Sequence, residues 1–129
     1  MDNLEELVVS GKELDRKLVS DILGPYLRLD RDSCTIRPLP EWEKLKARSK
    51  VLLYLVSRKA MVALGFDMKV EGATAGDVVD GTGMPKGTVN PALRELLDNH
   101  FIDQEKKDGR YYIPNPLIER VKSILGKKS

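Results

Sequence analysis

The sequence predicts an α+β, mostly helical fold: a three-helix core followed by a β-hairpin, with an extra N-terminal segment and a C-terminal helix. Three observations carry this expectation. Apolar residues recur at helical spacing, as in Val89, Leu93, Leu96 and Leu97. Gly81, Thr82 and Gly83, with Pro85 just beyond, put a tight break between two helical stretches. The period then changes to strand signals, FIDQEK and RYYI, around a Lys107-Asp108-Gly109 turn.

Taken in order, Leu4 to Val9 reads as a short helix or an ordered arm. Ser10 and Glu13 form a capping box that starts a helix with Leu14, Leu18 and Ile22 on one stripe. Gly24-Pro25 ends it. Tyr26–Leu29 and Thr35–Arg37 read as a small hairpin about a polar link. Pro38 and Pro40 make a stiff linker, so residues 1–41 are set apart from a main domain over 42–129.

The main domain opens with one long predicted helix, Trp42 to Leu64. It is basic at first and apolar nearly all round from Val51 to Val56. A helix of that kind must be covered on nearly every side. The N-terminal helix or a second copy of the chain is expected to supply the cover. This surface motivates an expected homodimer through helix 42–64 and the terminal helices. Met68–Glu71 reads as a short strand. Thr74 caps the next helix, with Asp77 three residues on. Pro85 opens the helix over 85–98, and Pro91 is expected to distort it only slightly because it sits early. One of Tyr111 and Tyr112 is expected in the core. After the hairpin, Pro114 stops the strand and Asn115-Pro116 opens a last helix lined by Leu117, Ile118, Val121 and Leu125. Gly126 to Ser129 reads as a frayed tail.

A 129-residue chain with 41% hydrophobic and 33% charged residues fits one globular domain with a heavily charged surface. A single cysteine, Cys34, permits no internal disulfide and suits a reducing, cytoplasmic setting. The acidic N-terminus does not read as a signal peptide, and no apolar run approaches a membrane span. The net charge of +2 says little about a polyanionic partner. Its distribution says more: Trp42 to Phe66 holds six basic residues against one acidic, whereas Asp67 to Ser129 is balanced.

The stretch GTGMPKGTVNPALRELLDNHFI followed by EKKDGRYYI resembles the winged helix-turn-helix family, in the compact form found in bacterial and archaeal transcription regulators. The resemblance covers about half the chain. It implies sequence-specific binding of double-stranded DNA by a small transcriptional regulator. The helix over 85–98 would enter the major groove, with Lys86, Thr88, Asn90 and Arg94 facing it. The hairpin over 102–113 would be the wing, offering Lys106, Lys107 and Arg110 to the phosphate backbone. Beside this stands a plainer reading, solvated charges on a surface helix, and Glu95, Asp98, Asp103, Glu105 and Asp108 lie nearby. The alternative function is a winged-helix protein–protein interaction module within a larger complex.

Enzyme chemistry is not indicated. His100 is the sole histidine and reads as a helix C-cap. Cys34 has no CxxC partner or local histidine, and Lys86 lacks the Gly-Lys-Ser/Thr context of a phosphate loop. No cofactor, metal or catalytic residue is expected. Trp42 reads as a seal over a helix start.

Overall fold

The computed structural model describes residues 14–126. The expected readings of Leu4–Val9, the Ser10/Glu13 capping box and the tail beyond Gly126 lie outside them. Within them the chain is mostly helical, with two short antiparallel hairpins. Helix α1 spans Arg16–Leu23, so Leu14 of the expected stripe precedes it; Leu18 is half-buried, and the buried side chains are Val19, Ile22 and Leu23. Asp15 caps it, its carboxylate accepting from the Leu18 N–H at 3.0 Å. Strands β1 (Leu27–Asp30) and β2 (Thr35–Pro38) pair as the predicted hairpin, Leu29 opposite Ile36.

The long helix differs from expectation. Pro40–Lys44 is a 3-10 turn, Leu45 and Lys46 are extended, and α2 runs from Ala47 to Ala63. Leu45 and Lys46 are good helix formers, so local propensity does not cause the break. The 3-10 turn seats Trp42, which is 1% exposed, and that burial outweighs propensity. Trp42 is thus a core anchor.

Helix α2 is the axis of the molecule. Val51, Leu52, Leu53, Tyr54, Leu55 and Val56 are all buried. Helices α1, α3 (Ala75–Thr82), α4 (Lys86–Asp98) and α5 (Ile118–Gly126) all pack on α2. The apolar surface that motivated pairing of two chains is therefore covered within one. Val19, Ile22, Leu27 and Ile36 join the same core as Val89, Leu93 and Ile113, so that core crosses the 41/42 division.

Helix α3 begins as predicted. The Thr74 hydroxyl accepts from the Asp77 N–H, and the Asp77 carboxylate accepts from the Thr74 N–H, both at 3.0 Å. Its end is a correction. Gly81 and Thr82 lie inside the helix, and only Gly83, at φ 76°, terminates it. Gly81 is glycine for a packing reason: a Cβ there would overlap the Tyr54 ring, so the glycine is what lets α3 lie against α2.

Helix α4 continues unbroken through Pro91. Pro91 is its sixth residue, beyond the first turn, so the missing N–H is one an intact helix would use. At its far end, Asn99 is the C-cap and His100 adopts a left-handed φ of 60°. The His100 N–H donates to Leu97 O and the Phe101 N–H to Leu96 O, which closes a Schellman motif.

The second hairpin is shorter than predicted: β3 is Asp103–Gln104 and β4 is Tyr111–Tyr112. Neither tyrosine is fully buried. The strand expected at Met68–Glu71 is absent. Arg58 takes its place, donating to the carbonyls of Val70, Glu71 and Gly72 at 2.9–3.1 Å, so those carbonyls do not enter a ladder. Only Ala73 bridges β4, its backbone exchanging two 2.8 Å bonds with Tyr111. A second 3-10 turn, Asn115–Leu117, leads into α5.

Alanine is the better helix former at position 81, yet Gly81→Ala is expected to destabilise the protein by roughly 1–3 kcal/mol through overlap with Tyr54. Chemical denaturation of the variant and wild type measures it.

Candidate nucleic-acid interface

The outer face of α4 is built by its amphipathic pattern. Val89, Ala92, Leu93 and Leu96 are buried, which turns Lys86, Gly87, Asn90, Pro91 and Arg94 to solvent. Lys86, Asn90 and Arg94 follow one another at steps of four and so share a line along the helix. Thr88, expected among them, is half-buried. The N-cap is Pro85, whose side chain makes no capping bond, so the positive end of the helix is left open to an anion. The face changes sign along its length. Asn90, Pro91 and Arg94 share a shallow depression with Glu95, Asp98 and Asn99. Lys86 is the one charged residue of the N-terminal half, and the C-terminal half sets Arg94 beside Glu95 and Asp98.

The hairpin tip carries Lys106 and Lys107, both exposed. Arg110 is placed differently from the expectation that it faces a phosphate backbone. Its guanidinium donates to Gly72 O and to the Asp77 carboxylate, both at 3.2 Å, and lies 3.5 Å from Asp108. Arg110 therefore ties the hairpin to the start of α3. Gly72 permits this approach, since a Cβ there would stand 2.9 Å from Arg110 Cβ.

Asp77 gathers three tasks: it caps α3, holds Arg110 and faces the charge of Arg58. Burial by itself would raise its pKa. The Thr74 N–H and the two arginine charges outweigh that and hold the carboxyl below the usual aspartate value. Tyr112, on β4, is shifted up, first by burial and then by the Asp103 carboxylate, which its hydroxyl approaches at 3.4 Å.

The basic stretch ahead of α2, together with that helix, gives the chain its local positive excess, but most of it is neutralised in place. Lys44 pairs with Glu41 at 3.0 Å, Arg48 with Glu95 at 3.2 Å, Lys50 with Glu43 at 3.8 Å, and Lys59 with Glu71 at 2.5 Å. Arg58 is bound to carbonyls as described above. Seven described cations make no ion pair or side-chain hydrogen bond with another described residue: Lys46, Lys69, Lys86, Arg94, Lys106, Lys107 and Lys122. Lys86, Arg94, Lys106 and Lys107 were singled out from sequence; Lys46 was visible only as part of its basic run.

Two residues of the outer face oppose the helix they stand in: Pro91, expected to distort it only slightly, and Gly87, for which the sequence raised no expectation. Gly87 is in ordinary helical conformation, and a Cβ built on it would meet nothing within 4 Å. Glycine weakens a helix by up to about 1 kcal/mol relative to alanine, and an interior proline by about 3 kcal/mol. Gly87 and Pro91 stand one turn apart on the exposed side. Their signal was present in the letters, as helix-breaking types inside a helical pattern.

No group of three His, Cys, Asp or Glu residues among the described residues is placed to hold a metal. The Cys34 thiol is half-buried, 3.6 Å from Asp67 O. No helix among the described residues is long and apolar enough to cross a membrane.

The lowered pKa of Asp77 makes a signed prediction. A depressed carboxyl contributes stability above its unfolded pKa of about 3.9 and loses it as pH falls through the folded value. Asp77→Asn is thus expected to be less stable than wild type at neutral pH, with the gap closing in acid below pH of about 4. Thermal melts of both proteins across that range check it. No family model, curated protein or solved structure matches this chain.

Proposed function

We propose that this protein is a winged helix-turn-helix protein that binds double-stranded DNA in a sequence-specific way, as a small transcriptional regulator. Helices α2, α3 and α4 make the three-helix core, and α4 is the recognition helix. The β3–β4 hairpin is the wing, bridged to Ala73 as its third, single-residue strand. The observation that carries the reading is the placement of uncommitted cations. Among the described residues most basic side chains are engaged with carboxylates or carbonyls; four of the seven that are not, Lys86, Arg94, Lys106 and Lys107, gather on the α4 face and the hairpin tip, while Lys46, Lys69 and Lys122 lie elsewhere. Lys86 and Arg94 flank Asn90, whose amide suits the paired acceptor and donor of adenine in the major groove. Lys106 and Lys107 supply charge to phosphates without reading sequence.

The acidic residues Glu95 and Asp98 on the same face favour a second reading, a docking module for another protein. Salt separates the two. A DNA binder loses affinity steeply as salt rises, in proportion to the phosphates neutralised. A docking module holds no random duplex even at low salt.

Binding to a pool of random duplexes, with the bound fraction sequenced, is the direct test. Asn90→Ala is expected to relax base preference at one position, with a loss of about 1–3 kcal/mol on the selected site. Lys107→Ala is expected to weaken all sequences alike and to lower the salt slope by about one. Unchanged affinity in both variants would remove α4 and the hairpin from the interface.

A further inference from the structure

We infer that Gly87 and Pro91 are specificity-determining positions: together they form the low strip of α4 that admits a duplex groove to the helix backbone. This rests on the DNA-binding reading above. The glycines of the chain show why Gly87 stands out. Gly65, Gly83 and Gly109 have positive φ values that side chains rarely adopt. Gly24, Gly72 and Gly81 are pressed against neighbouring atoms, and Gly76 meets the Thr74 hydroxyl at 3.7 Å. Of the glycines whose surroundings are described, Gly87 alone has neither a positive φ nor any atom within 4 Å of a built Cβ. Its own fold gives it no reason to be glycine.

Pro91 is the same case in another form. It lies inside α4, removes a helical N–H, and is exposed, so the core does not use its ring. Two residues that weaken the helix, one turn apart and both facing out, are accounted for by something outside the chain. Local choices that oppose the fold concentrate where function is served.

The geometry says what they serve. Asn90 lies between them, three residues after Gly87 and one before Pro91. Its side chain is short, so it meets a base edge only when the helix backbone comes close to the groove floor. A long side chain at 87 or 91 would hold the duplex off at its own length. Arg94, a turn further on, is long and needs no such approach.

The test compares wild type with Gly87→Gln and Pro91→Gln. Glutamine is tall, uncharged and a good helix former. Each protein is melted, and each is titrated with the duplex selected from a random pool by the wild type, over a range of salt. Both variants are expected to melt at or above the wild-type temperature, to bind the selected duplex at least roughly tenfold more weakly, and to keep the wild-type salt slope. Wild-type affinity in both variants would overturn the inference while leaving the DNA-binding reading in place. Lower melting in both would overturn it too, by showing that the fold needs these residues. Failure of the wild type to bind any duplex would overturn that reading and this inference together.

Discussion

The structure depends on the enclosure of one helix. From Val51 to Val56, α2 presents apolar side chains in every direction, and a rod of that kind is stable in water only inside a sheath. Helices α1, α3, α4 and α5 are the sheath. This requirement explains why the N-terminal segment belongs to the same core as the rest. It also sets the position of α4: Val89, Leu93 and Leu96 must face α2, so Lys86, Asn90 and Arg94 must face away. The composition of the outer face is free to serve a partner because the inner face alone fixes the helix.

A second layer of organisation is polar and holds the hairpin in place. With two residues per strand, the β3–β4 ladder is too short to position itself. Arg58 and Arg110 do this work from two sides. Arg58 gathers the carbonyls leading into α3, and Arg110 reaches from the hairpin to Gly72 and Asp77. Asp77 is thereby both the first-turn cap of α3 and the anchor of the hairpin. Under the proposed reading, the orientation of a wing relative to a recognition helix is set by one carboxylate and two guanidinium groups.

Pairing separates the cations that hold the fold from those that shape its surface. A lysine or arginine beside a carboxylate adds little to a field felt at a distance, and exposed pairs add little to stability either. Among the described residues, what remains after Arg48, Lys50, Lys59 and Arg110 find partners includes Lys86 and Arg94 on α4 and a pair of lysines at the hairpin tip, with Lys46, Lys69 and Lys122 open elsewhere. The modest net charge of the whole chain conceals this arrangement.

By itself, the sequence determined the features whose causes lie within a few residues. The Thr74 cap with an acid in the first turn of α3, a glycine break after that helix, the Asp108-Gly109 turn, the β1–β2 hairpin and the apolar face of α4 were legible, because caps, turns and periodicity act locally. Tertiary structure alone decided the rest. Trp42 broke the long helix by being buried, Tyr54 required a glycine at position 81, and Arg58 replaced a strand by binding its carbonyls. Arg48 met Glu95 across 47 residues of chain, and Arg110 met Asp77 across 33. Which charges are neutralised and which stay open depends on such distant meetings, so the candidate interface was readable as a set of residue types but its electrostatics only from the folded chain.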